Sequence, residues 1–382
     1  MNFLKSEKNR EYLWQVLFTL SIIAFFTFIL RNTQSALDKQ GIASGFSFLS
    51  QEAGFEIGES IIDFFSDDTY QLALLSGFLN TVKVAFIGNI LALALGFIVG
   101  VTSLSDNYLV AKLSKFYVES IRNIPLILQL FFWYSIFTEV FPSVRSALNP
   151  IGGVYLSNRG LYLVSFSDHW FFNILPLIGI LSVVAFFFFK KRSIKSLERT
   201  GVARKIFLPT LLFFILVSFA LWLVAGLPRE LSWPTLAGFN FEGGVHLSPE
   251  FSSLLIGLVL YTSAFNAEIV RAGILSVDHG QWEAASSLGL NKNQTLSLIV
   301  IPQALRVAIP PLISQVLNLT KNSSLAVAIG YPDFVSVANT SLNITGQAVE
   351  LVLLIMLVYL SISLSTSLVM NIYNRSVTLK ER

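Results

Sequence analysis

The stretch with the most chemical potential is Asp278-His279-Gly280-Gln281-Trp282-Glu283-Ala284-Ala285-Ser286-Ser287-Leu288-Gly289-Leu290-Asn291. Gly280 can open a turn, Gln281 to Leu288 suits a short helix, and Gly289 supplies the left-handed stop that commonly follows one. Asn291 suits the cap of a second helix, expected to end near Pro302. The product is a helix–turn–helix elbow that sets an acid, Glu283, beside two alanines, a small-residue surface that another protein can approach closely. From the residues alone two roles stay open: a docking surface of that kind, or an amphipathic elbow that only anchors its neighbours. Asp278 and His279 look like half of a catalytic dyad, but no nucleophile context accompanies them.

Three further groups carry charge where charge is expensive. Asn318, Lys321 and Asn322 stand at helical spacing on one face, with Ser323 and Ser324 adjoining them in an apolar run. They could line a route for a zwitterion, Lys321 meeting its carboxylate, or pack and gate against a partner chain. Lys83 also lies within an apolar run and must face a cavity or partner, or snorkel outward from near the run's end. Glu268 and Arg271 are three residues apart and suit a structural ion pair that positions the elbow. Other chemistries have no residues to perform them. The sequence has no cysteine, its three histidines (His169, His246 and His279) form no metal-spaced cluster, and no GxxxxGK[ST] loop is present to cradle a nucleotide.

The elements that must position these residues are membrane helices. Of 382 residues, 54% are hydrophobic and 13% charged, whereas a soluble domain carries roughly 25% charged residues. Apolar runs of spanning length are expected at about 12–30, 72–102, 124–141, 170–189, 206–226, 251–275, 308–329 and 348–370, eight helices in all. The first is too long for the apolar core of a typical signal peptide and is expected to stay uncleaved. The seventh is interrupted by Pro310 and Pro311, tolerated where protein or a water-filled cavity satisfies the freed backbone. Gly88, Gly96 and Gly100 on the second helix suit close helix packing.

Counting Lys and Arg orients the set. With the N-terminus inside, the inner segments hold 19 and the outer segments 5, of 26 in total. The net charge of +3 is therefore a topology signal and not a nucleic-acid footprint.

Glu283-Ala284-Ala285, the glycine four residues after the second alanine, and the proline-containing stretch beyond resemble the EAA signature of importer-type ABC transporter permeases. The likeness extends through Asn266-Ala267-Glu268-Ile269-Val270-Arg271-Ala272-Gly273, Leu305-Arg306 to Pro310-Pro311, and Lys321-Asn322-Ser323-Ser324-Leu325-Ala326. Upstream it includes Tyr117-Val118-Glu119-Ser120-Ile121-Arg122-Asn123-Ile124-Pro125 and Gln129. Together these resemble the polar amino acid uptake branch, over roughly 72–139 and 251–370. The additions at 1–71 and about 140–250 are similar to the longer permease of general L-amino-acid systems, or of systems for acidic amino acids and their amides.

The resemblance implies an all-α polytopic membrane protein with a five-helix type I ABC permease core. It implies an N-terminal helix and acidic periplasmic segment at 1–71, a transmembrane domain at 72–370 with a two-helix insertion, and a cytoplasmic tail at 371–382. The elbow becomes the coupling element, with Glu283 the acidic contact, Ala284 and Ala285 the close-packing positions and Gly289 the turn. Implied partners are a second, shorter permease, two copies of an ABC ATPase, a periplasmic amino-acid-binding protein and membrane lipid. ATP and Mg would bind the ATPase, with no cofactor on this chain and no covalent catalysis by it. The competing class, an ion-coupled secondary transporter, calls for inverted repeats and a midplane carboxylate, and the sequence offers neither.

Overall fold

In the computed structural model the described residues are 7–39, 45–166, 169–172, 174, 178–179, 181–182, 185–186, 188–189, 192–193, 207–227 and 230–377. The helices are α1 (Glu7–Lys39), α2 (Tyr70–Thr102), α3 (Tyr108–Arg122), α4 (Leu126–Ser135), α5 (Phe207–Val224), α6 (Pro249–Leu275), α7 (His279–Ser287), α8 (Lys292–Thr295), α9 (Ile301–Asn322), α10 (Phe334–Thr345) and α11 (Ala348–Val377).

Five stretches are long and apolar enough to cross a membrane: Glu11–Ile29, Tyr70–Thr102, Pro249–Leu275, Leu296–Ile329 and Ala348–Leu368. A sixth arises if Tyr108–Arg122 and Leu126–Val140 form one span, although the two are bent by 101°. The apolar helix Leu208–Val224 is shorter. The described residues thus supply five or six of the eight expected spans. Of the stretch expected at 170–189, twelve residues are described and all are helical, whereas the basic segment 190–205 falls almost wholly outside the described residues.

Tyr134–Ser252 forms one compact unit, and the remainder of the chain forms the other. The smaller unit contains strands, which hydropathy did not reveal because each is only two to four residues long. Leu148–Ile151 (β1), Val154–Ser157 (β2) and Gly160–Leu163 (β3) form an antiparallel meander, completed by Val245–Leu247 (β8) along the free edge of β3. Ser165–Phe166 (β4) pairs with Leu231–Ser232 (β5), and Thr235–Ala237 (β6) with Asn240–Glu242 (β7). Tyr162 is buried at the centre, stacked on the His246 ring at 4.5 Å and donating its hydroxyl to Asn240 Oδ1 at 2.6 Å. His246 is therefore a packing residue.

In the larger unit, α2 and α6 meet through small residues. A Cβ placed on Gly96 would collide with Asn266 Cβ, and one on Gly100 would stand 2.7 Å from the Ala267 carbonyl oxygen. Asn266, fully buried, donates to the Ala92 carbonyl across this seam at 3.1 Å. A second packing centre joins α2, α10 and α11 to the segment that precedes α2. Phe48, Ala53, Tyr70, Ala73, Leu74, Phe334, Val337, Ala338 and Leu351 form its core.

Candidate functional site

Local sequence chemistry builds the elbow. The Asp278 carboxylate accepts from Gly280 N at 2.7 Å and caps α7. Gly289 ends it at φ +76°, a left-handed backbone that costs a side-chain-bearing residue roughly 1–2 kcal/mol. Gly289 N then donates to Ser286 O, and Leu290 N to Ala285 O. At the second helix, Gln294 N donates to Asn291 Oδ1 (2.9 Å) while Asn291 N donates to Gln294 Oε1 (3.0 Å), a reciprocal capping box. That helix does not end near Pro302, as expected from the sequence. It continues through a π-helical turn, Leu296–Val300, into α9, and Pro302 sits in the first turn of α9. Pro302 lies just past the π-helical turn, where the ladder of the continuous helix passes from i−5 to i−4 spacing.

The elbow is seated by Trp282, which packs with Val101, Leu104, Val277 and Leu296 against Val270, Ile274, Val300 and Ala304. Lys292 forms an ion pair with Asp106 at the foot of α2, and Gln303 donates to Gln281 Oε1 at 3.2 Å. Of the candidate coupling residues, Glu283 and Ala284 are exposed and Gly289 lies at the tip. Ala285 is fully buried and packs inward. The Glu283 carboxylate, 72% exposed, meets His279 Nδ1 at 3.1 Å. Leu288 completes the outer face at 78% exposure. Sequence reasoning passed over it, although its place four residues after Ala284 puts the two on one face.

Glu268 and Arg271 pair as their spacing suggests, with Arg271 Nε to Glu268 Oε2 at 3.0 Å and Nη2 to Oε1 at 2.6 Å. They border a cavity of about 310 Å³ shared with Ser103, Lys115, Glu119 and Arg122. On α9, Asn318 and Lys321 lie on an exposed face, and Asn322 is half-buried. Ser323 turns the other way: it is buried and donates to the Thr320 carbonyl at 2.7 Å. Ser314 and Arg306 are also exposed on α9, with Pro311, Pro310 and Val307 exposed between them, and neither stood out in the sequence as a site residue. Helical spacing from Lys321 is the signal that finds them. A polar face on a membrane-depth helix requires water or another protein surface opposite it.

The family model described as binding-protein-dependent transport system inner membrane component matches residues 199–379. Over nearly its full length the chain is 46% identical to the putative amino-acid ABC transporter permease protein YhdX of Escherichia coli (strain K12), covering 98% of this chain and 95% of that one. The chain belongs to the amino-acid ABC transporter permeases. The general L-amino acid transport system permease protein AapQ of Rhizobium johnstonii is 43% identical, covering 98% of this permease and 94% of its own length. The glutamate/glutamine/aspartate/asparagine transport system permease protein BztB of Rhodobacter capsulatus is 41% identical, covering 96% and 93% respectively.

The permease also settles its costly lysine internally. Lys83 Nζ reaches Glu59 Oε1 at 2.6 Å, both groups half-buried. Asn80 Nδ2 donates to the backbone carbonyls of Glu59 (2.7 Å) and Pro332 (2.9 Å), and Gly45 N donates to Glu350 Oε1 (2.6 Å). The acidic segment before α2 is thus strapped over the ends of α2, α10 and α11. Of the two roles left open for Lys83, a partner is the one found.

A second group lay outside the sequence expectations. Asp333, fully buried, caps α10 by accepting from Ser336 N at 2.8 Å and accepts the Tyr359 hydroxyl at 3.2 Å. Burial pushes its carboxyl up to about 7, against the opposing hydrogen bonds from Ser336, Tyr359 and Val335. Because the folded chain holds this proton more tightly than the unfolded chain, stability falls as pH rises from the ordinary aspartate range through about 7. Asp333→Asn keeps the cap and removes the titration. The midpoint of thermal unfolding in detergent is expected to fall between pH 5 and 8 relative to the variant's, by several degrees (~2–4 °C per kcal/mol). Parallel midpoints across that window would show that Asp333 contributes no pH dependence.

Proposed function

We propose that this permease is the membrane channel of a binding-protein-dependent importer for polar or general L-amino acids. The observation that carries the proposal is the elbow, which is continuous through the π-helical turn with α9, packed on α6, and exposes Glu283, Ala284 and Leu288. Such an element can receive force from a separate protein and pass it to two membrane helices. In this mechanism two ABC ATPase copies dock on the elbows of this chain and of a second, shorter permease. ATP, with its Mg, brings the ATPases and their elbows together and opens an outward cavity, and hydrolysis resets it. A periplasmic binding protein delivers the amino acid. Both termini face the cytoplasm. The organisation that goes with this mechanism is an N-terminal segment at 1–71, a transmembrane domain at 72–370 with an insertion at about 140–250, and a tail at 371–382.

The α9 face is the proposed route, with Lys321 meeting the carboxylate and Asn318 and Asn322 beside it; Ser323 is the helix-packing member of that group. The test is ATP-driven uptake of labelled glutamate, glutamine, aspartate and asparagine by the reconstituted complex, in competition with other L-amino acids. Lys321→Ala is expected to raise the half-saturating concentration roughly tenfold or more, the scale of losing a charge-assisted hydrogen bond, while the complex stays intact. Uptake that needs an ion gradient instead of ATP would overturn the importer assignment. Unchanged kinetics in Lys321→Ala would remove that residue from the route.

A further inference from the structure

Helix α3 has three faces with distinct chemistry. Ala111, Ser114 and Val118 are buried or half-buried against the protein. Leu109, Leu113 and Phe116, spaced as successive turns of one stripe, are 63, 58 and 68% exposed. Between those faces run Lys112, Lys115 and Arg122, all exposed, with Glu119 among them. At 15 residues the helix is about 22 Å long, too short for a hydrocarbon core of about 30 Å. It also bends by 101° from the segment that follows Pro125. Proline disfavours helix in the residue before it, which accounts for the break. If the following segment runs along the membrane normal, α3 lies close to the membrane plane.

From this geometry we propose that α3 is an interfacial helix that binds anionic phospholipid in the cytoplasmic leaflet. Leu109, Leu113 and Phe116 enter the acyl region, and Lys112 and Lys115 hold headgroup phosphates at its edge, while Arg122 lies over the Phe265 ring at 5.0 Å. The commitment to lipid rests on charge: a dry protein partner would leave Lys112 and Lys115 beside an apolar stripe, whereas an anionic leaflet satisfies both surfaces at once. Asp106, immediately before α3, pairs with Lys292 of the elbow, so lipid held by α3 bears on the coupling element. The proposal depends on the inner placement of α3 and not on the transported solute.

The chain contains no cysteine, which permits a single reporter. Phe116→Cys, labelled with an environment-sensitive fluorophore in the full-length chain, is placed in vesicles of phosphatidylcholine with phosphatidylglycerol. Acyl-brominated forms of each lipid serve as quenchers in turn. Quenching is expected from both, with brominated phosphatidylglycerol favoured over its bulk fraction. Lys112→Gln and Lys115→Gln should each reduce that preference on the order of fivefold. Leu113→Cys provides a second reporter should the Phe116 label disturb packing. Equal quenching by the two lipids overturns the headgroup site. No quenching at either position means that protein covers the stripe, and overturns the proposal entirely. Because neither readout involves transport, a wrong solute assignment leaves the outcome intact.

Discussion

Glu283→Lys is expected to leave the permease folded and to separate it from its ATPase. The carboxylate is 72% exposed and meets only a similarly exposed His279 ring, so reversing its charge removes little from the fold. Trp282 and Ala285, which seat the elbow, are untouched. In the proposed coupling role the loss falls on the contact with the ATPase. Truncating one member of a hydrogen-bonded charge pair at an interface costs about 2–5 kcal/mol, and reversal also introduces repulsion. ATPase retained on solubilised permease should drop roughly thirtyfold or more, and ATP-driven uptake with it. Ser287→Ala, a smaller change on the same exposed side, should do neither. Full retention of ATPase and normal uptake in Glu283→Lys would sink the coupling role.

Gly96→Ala should be the most damaging single methyl in the membrane region. The added carbon would overlap Asn266 Cβ and stand 3.0 Å from the Ser263 carbonyl oxygen, so relief requires α2 and α6 to move apart. Overpacking of this kind typically costs 1–3 kcal/mol; here separating the helices also strains the buried Asn266–Ala92 hydrogen bond. Gly88→Ala is the internal comparison. Its added carbon meets the end of the flexible Leu319 side chain at 3.3 Å, which can shift by a few tenths of an ångström. Thermal midpoints in detergent should therefore separate the two variants by several degrees, Gly96→Ala the lower. Equal midpoints would show that the α2–α6 seam is looser than its geometry implies.

The elbow was legible in the sequence because its signals are local. Gly289 and Asn291 act on backbone groups within three residues of themselves, so their types and spacing specify the turn they make, whereas Asp278, which looked like half of a dyad in the sequence, is the cap of α7. The boundary at Pro302 was misplaced for a related reason. Proline reads in sequence as a helix end, and only the tertiary path shows that here the helix passes through a π-helical turn and continues beyond Pro302. The small strands of Tyr134–Ser252 were invisible because pairing such as β3 with β8 joins residues more than eighty positions apart. No periodicity of two can be read from three residues.

What the sequence determined by itself was the membrane class, five or six of the eight apolar helices it led one to expect, the family, and the Gly289 stop and Asn291 cap of the elbow. The class and the helices follow from hydropathy over a helix length, the stop and cap from hydrogen bonds within a turn, and the family from the resemblance of its Glu283-Ala284-Ala285 signature; none needs a distant partner. The tertiary structure decided which way side chains face. It turned Ala285 and Ser323 inward, left Leu288 and Lys321 outward, gave Lys83 the carboxylate of Glu59 and buried Asp333. Facing depends on what packs opposite, and that is fixed only when segments far apart in the chain compete to remove charge and apolar surface from the wrong solvent.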